Sequence, residues 1–466
     1  MSLRLTALLM LFGVATYGCS SAGERGHDSG TGGDVPASPS DGEDATSASD
    51  ASRAVDASVS LDAALEVDAS VSADAAAPVD AAPASDAAPV DAAPVDATPA
   101  SDAAVRLDAG PRPDSGPLQL PAYLSGLPPF ESRRLATASN HRPRLADVLP
   151  TEWVNAAGVG NNINITEAYS GGAGDGERAR LYVHGGGHSD SANNGLYMYD
   201  FDGTTEPTGW SFLDGSSPSA VQPGDLYADG RPSSVHTYDY LAFDGARQVF
   251  LRYAGARWND GSMNGLCFAY DTVVGAWSQT VNNPMSPDTS GWTVFDPVSR
   301  KSWVAGHLGT SFFHRVDANT ASARVDHAGS SLDQVHVYDS SRHRALVIGN
   351  GNLDIFDIDW AAEAVAHSSG TASGATAVLS ETGLSLVYDA AADRVWILLP
   401  RGAPHDKIWE LDPATFAIVE HSLTGDTSFD VGGSTGSFNR VVFVERWRAI
   451  GVVPSIDDAA YVLKLP

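Results

Sequence analysis

Two histidines, a tyrosine and an arginine could supply acid–base chemistry in this sequence. His236 and Tyr238 are separated by one residue, so in an extended strand their side chains would lie on the same side, together with that of Tyr240. Arg252 ends the next apolar run, and His188 follows three glycines. A histidine or tyrosine can take a proton, and an arginine can neutralise a carboxylate or hold an oxyanion. We therefore interpret His188, His236, Tyr238 and Arg252 as a candidate catalytic set.

The elements that must position these side chains are short repeated strands. One recurring unit is an apolar run, an aromatic–Asp turn and a second apolar run, as in residues 240–251, 292–304, 335–347 and 386–397. A second unit carries a hydrophobe–Asp pair, and the pairs at Asp271, Asp317, Asp357 and Asp412 are 46, 40 and 55 residues apart. Two β-hairpins at this period form one four-stranded blade of a β-propeller. The sequence therefore predicts an all-β fold.

We expect six blades in a single propeller domain over residues 116–466. The last blade stops after a third strand at residues 460–465, so its outer strand should come from the N-terminal side, near residues 151–154. A degenerate blade within residues 116–160 would make seven, and this alternative stays open.

The predicted topology gathers distant residues on one face. Strands in a blade alternate in direction, so the loop between the second and third strands opens on the same face as the connection into the next blade. These loops and connections carry Trp, Tyr, Asn, Arg and His, which suit a carbohydrate or peptide ligand. The candidate ligand-binding residues are Asp190, Asn193, Arg231, Arg257, Trp258, Asn259, His307, His336, Arg401 and His405.

Two family resemblances follow from these motifs. Residues 182–188, with Tyr199-Asp200 and Trp210, resemble a kelch repeat of the kind found in the central domain of galactose oxidase. The set His188, His236, Tyr238 and Arg252 loosely resembles the propeller-type polysaccharide lyases, such as those that act on ulvan. That resemblance implies β-elimination at a uronic-acid linkage, although a further histidine of those lyases has no counterpart in residues 162–167.

We predict no metal site and no cofactor. His184 and His188 have the spacing His-x-x-x-His, but a metal pair with this spacing relies on one face of a helix, which a glycine-rich strand end does not provide. Zinc or calcium remains the alternative. Cys267 stands in an apolar run and is interpreted as a small buried hydrophobe.

The N-terminus predicts export and a long linker. Residues 1–19 combine Arg4, an apolar stretch and Gly18-Cys19, which resembles the lipobox of bacterial lipoproteins, with Thr16 where leucine is usual. Cys19 is therefore the candidate lipidation site, and the lipoprotein resemblance implies that Ser20 beside it, rather than Asp, favours the outer membrane. We expect a lipid anchor at the outer membrane or cell surface, and simple secretion is the alternative. Residues 20–115 consist mostly of Ala, Asp, Pro, Ser and Val, a composition that predicts a disordered linker.

The charge of the chain restricts its partners. The net charge is −30; residues 1–115 hold 19 acidic and 5 basic side chains, a net −14, which leaves −16 for residues 116–466. Nucleic acid is excluded as a partner, because phosphate binding requires an excess of Lys and Arg. We expect a monomer that binds a glycan or protein as a non-catalytic module. A polysaccharide lyase is the alternative.

Overall fold

The computed structural model describes residues 119–135, 144–153, 162, 164–187, 191–203, 205–215, 224–258, 260–285, 288–399, 405–429 and 435–466. The predicted signal peptide, Cys19, the linker of residues 20–115 and the expected boundary at residue 116 lie outside these ranges. Within them, no helix has the length and apolar composition required to span a membrane.

Six antiparallel sheets form the fold, and each corresponds to one blade. The first strand of each blade contacts the first strands of both neighbouring blades, so the six innermost strands close a ring. Blade 1 comprises Gly172–Asp175, Arg180–His184, Leu196–Asp200 and Gly209–Asp214. Blade 2 comprises Leu241–Asp244, Val249–Arg252, Leu266–Asp271 and Ala276–Asn282, with a separate small ladder of Val235–His236 and Ala256–Arg257. Blade 3 comprises Gly291–Asp296, Lys301–Gly306, Thr310–Arg315 and Thr320–Ala321, and Val325–Asp326 also pairs with its third strand.

The remaining three blades repeat the same order of strands. Blade 4 comprises Val335–Asp339, Arg344–Gly349, Asn352–Asp359 and Ala364–Ser369. Blade 5 comprises Ser385–Asp389, Arg394–Leu398, Lys407–Leu411 and Ala417–Ser422, extended by Ser373–Gly374. Blade 6 comprises Val441–Val444, Ala449–Val452, Tyr461–Lys464 and Glu131–Arg134, extended by Thr424–Gly425. The prediction of a six-bladed β-propeller is confirmed, and the seven-bladed alternative is wrong.

Helical segments are few and short among the described residues. One α-helical turn covers Asn164–Glu167. Short 3-10 helices cover Ala122–Leu124, Leu145–Val148, Thr151–Trp153, Thr376–Ser380 and Glu445–Trp447.

An N-terminal strand closes the ring, but not the one expected. Glu131–Arg134 pairs antiparallel with Tyr461–Lys464 and parallel with Thr424–Gly425, so it is the outer strand of blade 6. Residues 151–153, where this strand was expected, form a 3-10 turn instead. Trp153 is buried there and packs edge-on against Phe212 at 5.5 Å, so its apolar character serves the core.

The repeated Asp residues stabilise the hairpin turns. The Asp244 carboxylate accepts a hydrogen bond from the Arg247 backbone N–H, and that of Asp271 accepts bonds from the N–H groups of Val273 and Val274. The residue just before the second strand is left-handed in every blade, as at Gln248 (φ 58°). This combination of an Asp-capped turn and a left-handed residue closes a short hairpin.

Ion pairs between blades lie on the same face as these turns, which we call the turn face. Arg300 of blade 3 bonds to Asp244 of blade 2. Arg342 of blade 4 pairs with Asp393 of blade 5 at 2.6 Å. Asp244 therefore has two functions, because it caps its own hairpin and holds the arginine of an adjacent blade.

A channel of about 450 Å³ runs along the axis of the ring and is lined by the innermost strands. On the face opposite the turn face, which we call the loop face, polar side chains of three blades meet across this channel. The Asp239 carboxylate accepts hydrogen bonds from the His336 backbone N–H at 2.8 Å and from Asn439 Nδ2 at 2.9 and 3.0 Å. Blades 2, 4 and 6 are thereby joined at the axis.

Candidate functional site

The loop face carries a cluster of aromatic rings near the axis. Tyr169 precedes blade 1, Tyr238 precedes blade 2 and Phe438 precedes blade 6. The centroid of the Tyr169 ring lies 5.1 Å from that of Tyr238 and 6.1 Å from that of Phe438. His236 joins the group, with its ring 5.1 Å from Tyr169 and 6.0 Å from Tyr238. We call these four residues the aromatic cluster.

Three members of the aromatic cluster have the same unusual backbone. Tyr169, Tyr238 and Phe438 each stand three residues before an innermost strand, with φ values of 50°, 43° and 40°. A left-handed conformation is a genuine outlier for a bulky side chain, and each instance costs about 1–3 kcal/mol. The backbone turns sharply at these points and directs three rings from three blades toward one place.

Two glycines allow the chain to approach the cluster closely. A Cβ atom on Gly171 would lie 2.0 Å from the Tyr238 carbonyl oxygen, and one on Gly187 would lie 1.7 Å from the His236 nitrogen. The glycine run at residues 185–187 is thus explained by packing against the Val235–His236 strand. Since any side chain at these positions would displace the cluster, both glycines are positioning residues.

His236 and Tyr238 are adjacent for a different reason from the one predicted. The strand containing His236 ends at that residue and pairs with Ala256, and the left-handed Tyr238 breaks the alternation expected along an extended strand. Tyr240 consequently leaves the group, and its hydroxyl donates to the Ser290 carbonyl at 2.8 Å. The expectation that Tyr240 shares their side of a strand is wrong, whereas the proximity of His236 and Tyr238 is observed.

Arg252 lies in the interior of the protein. It is 0% exposed, its guanidinium carbon is 4.8 Å from the centroid of the Phe268 ring, and its Nη1 donates to the Ser233 carbonyl at 3.4 Å. Burial lowers the pKa of Arg252 to about 10, so the group stays charged at neutral pH. A group buried to this degree cannot touch a ligand on the loop face unless the blades separate.

The candidate ligand-binding residues of blades 1 and 2 are held by partners within the protein. Asn193 is buried and bonds to Asn162, Tyr197 and the Gly195 N–H. Arg231 pairs with Asp214 and Asp229, and Arg257 pairs with Asp225 and Asp260. Trp258 follows Arg257, half-buried. Only Arg231, with 37% of its side chain exposed, presents much of its surface to solvent.

The three histidines of the later blades also have protein partners. His307 Nδ1 is 2.6 Å from an Asp288 oxygen, and this carboxylate raises the pKa of His307 against the opposing effect of burial. His336 donates from Nδ1 to Asp239, within the contacts across the channel. His405 donates from Nδ1 to the Phe429 carbonyl at 2.8 Å. A ligand-binding function of these residues stays a prediction.

Four of the sequence-predicted residues on the loop face lie outside the described ranges. They are His188, Asp190, Asn259 and Arg401. Sequence reasoning missed Tyr169, Phe438, Asp239 and Asn439. A usable signal was present, because an aromatic residue recurs three positions before the innermost strand in three blades.

Metal ligation has no support among the residues that the structure describes. No three His, Cys, Asp or Glu side chains gather there in a way that could hold an ion. His184, one half of the His-x-x-x-His spacing, is fully buried at the interface of blades 1 and 2, where burial and the charge of Arg252 lower its pKa well below the usual value. Its partner in that spacing, His188, is not described.

Fold and site together define this chain as a six-bladed β-propeller with an aromatic cluster at the centre of its loop face. No family model matches the sequence, and no curated protein matches it. Among solved structures, the fold of this chain is similar to the structure of YjhT, with a TM-score of 0.39 and 11% sequence identity. The match covers 63% of this chain and 93% of the YjhT chain.

Proposed function

We propose that the propeller is a binding module that holds a carbohydrate chain on its loop face, at the aromatic cluster. The observation that carries this proposal is the convergence of three left-handed aromatic residues from three blades. Backbone strain of this kind concentrates at ligand-binding and active sites, where the surrounding structure maintains it. Because the three residues are far apart in sequence, the fold as a whole holds them together.

The chemistry of the cluster suits a sugar. Tyr169 is half-buried and therefore more accessible than the neighbouring Tyr238 and His236. Aromatic rings offer apolar faces to the C–H groups of a sugar, and phenol and imidazole groups offer hydrogen bonds to its hydroxyls. Arg231 is partly exposed on the same face, but Asp214 and Asp229 already neutralise its charge, so the site has no preference for an acidic glycan over a neutral one.

Replacing Tyr169 by alanine is expected to weaken glycan binding at least about tenfold, since the ring supplies accessible contact area at the centre of the site. The measurement is titration calorimetry of the full-length protein against a panel of neutral and uronic-acid oligosaccharides. Tyr388→Ala is the matched control, because Tyr388 is a half-buried tyrosine near the turn face, where it bonds to Ser341 and Asp393. Binding that is equal in both variants, or detected only for a protein ligand, would overturn the carbohydrate proposal at this site.

A polysaccharide lyase is the second candidate, favoured by one observation. The ring centroids of His236 and Tyr238 lie 6.0 Å apart, which is close enough for both side chains to contact one sugar. In the same panel, β-elimination would produce unsaturated uronates, whose ultraviolet absorbance reports turnover. Product that disappears in His236→Ala while binding persists would assign catalysis. Binding without product in the wild-type protein would leave the non-catalytic function.

We further propose that the protein is exported and anchored to the outer membrane or cell surface through a lipid on Cys19. The support is the sequence alone: a short apolar stretch followed by Gly18-Cys19 and a long polar linker. Metabolic labelling with a fatty acid is expected to mark the wild-type protein and to fail in Cys19→Ala. Equal labelling of both proteins would contradict the anchor.

A further inference from the structure

The interface between blades 1 and 2 contains a buried cation without a counterion. Arg252 is on the second strand of blade 2, and His184 is at the end of the second strand of blade 1. Both side chains are 0% exposed. Arg252 Nε and Nη2 and both ring nitrogens of His184 have no hydrogen-bond partner. Buried polar groups are almost always paired, so each unpaired one requires an explanation such as a bound ion.

These groups lie around one place. The His184 ring is 5.3 Å from the Trp277 ring and 6.3 Å from the Phe250 ring. Phe250 is two residues before Arg252, so both side chains lie on the same side of their strand. The Trp277 indole Nε1 is also without a partner. The Phe268 ring, which lies 4.8 Å from the Arg252 guanidinium carbon, is 6.5 Å from the Trp277 ring, so Trp277 stands between the surroundings of Arg252 and those of His184.

Nearby acidic groups do not supply the missing acceptor. Burial lowers the pKa of Arg252 and the charge of Asp225 opposes this, but the Asp225 oxygens bond to Arg257 and the Gly265 N–H. Burial raises the pKa of the Cys267 thiol to about 12, so that group is neutral. Phe268 covers one face of the guanidinium and accepts nothing in its plane. Each of the three side chains with unpaired atoms at this place can donate a hydrogen bond, Arg252 from Nε and Nη2, Trp277 from Nε1 and the neutral His184 from one ring nitrogen, and none of them carries a negative charge.

A second buried arginine shows how the same fold satisfies such a group. Arg440 is also 0% exposed, but its Nε, Nη1 and Nη2 donate to the carbonyl oxygens of Val453, Ser170 and Pro454. Three backbone acceptors thus surround Arg440, while Arg252 has one long bond to Ser233. The difference between the two indicates that an acceptor is missing at Arg252.

We propose that a small inorganic anion, with the chemistry of chloride, binds between blades 1 and 2 and accepts hydrogen bonds from Arg252, His184 and Trp277. The anion neutralises the guanidinium charge, whose burial would otherwise cost several kcal/mol. Because Arg252 and His184 are both closed to solvent, the proposal is restricted to an anion of one atom. This function of Arg252 is independent of ligand binding on the loop face.

The test is thermal unfolding of the full-length protein in sodium chloride, with sodium gluconate keeping the ionic strength constant. Chloride should raise the Tm by about 3 to 5 °C and then saturate, because an anion bound only to the folded state stabilises it by mass action. Arg252→Met should abolish this increment. Arg440→Met is the matched control: it should lower the Tm in every salt and keep the chloride increment.

A milder variant and a direct measurement test the proposal even if Arg252→Met does not fold. Trp277→Phe removes one N–H donor and keeps an aromatic ring, so it should raise the chloride concentration at half-effect by about tenfold. Crystals of the wild-type protein grown in sodium bromide should show an anomalous peak beside Arg252 Nε and Nη2. Water alone at these nitrogens, a Tm that does not respond to chloride, or an increment that survives Arg252→Met would each overturn the proposal.

Discussion

A chain that begins at residue 136 is expected to lose most of its folding stability, whereas a chain that begins at residue 119 keeps it. The shorter chain lacks Glu131–Arg134, the outer strand of blade 6, and the buried residues Leu124, Leu127 and Leu135. Burial of each leucine contributes about 1.5–3 kcal/mol, and loss of the strand leaves both flanking ladders without a partner. Whole domains have only about 5–15 kcal/mol of stability.

The two truncated chains are best compared by thermal unfolding followed by circular dichroism. The chain from residue 119 should unfold cooperatively, as the full-length protein does. The chain from residue 136 should show a Tm lower by at least about 10 °C, or no cooperative transition. If both melt at the same temperature, another segment closes blade 6, and Thr424–Gly425, which already lies beside the outer strand, is the segment to examine.

The closing strand illustrates which parts of the fold the sequence could predict. Blades were predictable because Asp-capped turns and apolar runs recur, and these repeats are the direct cause of the hairpins. The outer strand Glu-Ser-Arg-Arg has no apolar alternation, because it is half-exposed and is held by backbone ladders. Residues 151–154 contain Trp153 and resemble a strand more closely, but that tryptophan packs against Phe212. Amino-acid composition therefore pointed to residues 151–154 and away from Glu131–Arg134, because the latter strand is defined by its backbone pairing and not by its side chains.

The candidate site was predictable only in part, for a similar reason. His236 and Tyr238 could be paired by their spacing, but the conformation that brings them together is a left-handed turn. Tyr169 and Phe438 join the cluster from blades 1 and 6, and only tertiary structure brings such distant segments together. Arg252 was assigned to the same site because it lies on the adjacent strand, yet its side chain points into the interface with blade 1. The spacing in the sequence could place Arg252 on a strand, but it could not show which blade interface the side chain faces.

Asp239→Ala is expected to lower the free energy of unfolding by about 3–5 kcal/mol, because it leaves buried donors without an acceptor. The Asp239 carboxylate is 2% exposed and accepts bonds from His336 and Asn439 across the channel. Its backbone also pairs with Gly291 and Thr293 of blade 3. Asn439 in turn accepts a bond from the Leu386 N–H of blade 5. The Asp239 side chain therefore connects four of the six blades, directly or through one neighbour, and its backbone adds blade 3.

Urea denaturation of the full-length protein measures this loss through the transition midpoint and slope. Asp359→Ala is the control: that exposed carboxylate caps a turn through the N–H groups of Ala361 and Ala362 only, so its removal should cost about 1 kcal/mol or less. The loss of unfolding free energy in Asp239→Asn should fall between those of the two alanine variants. The amide keeps one oxygen acceptor, but its N–H₂ group would face the donors of His336 and Asn439. Equal losses for Asp239→Ala and Asp359→Ala would show that hydrophobic packing between the blades maintains the ring without the axial contacts. A large difference would show that the polar contacts at the axis contribute much of the free energy that holds the blades together.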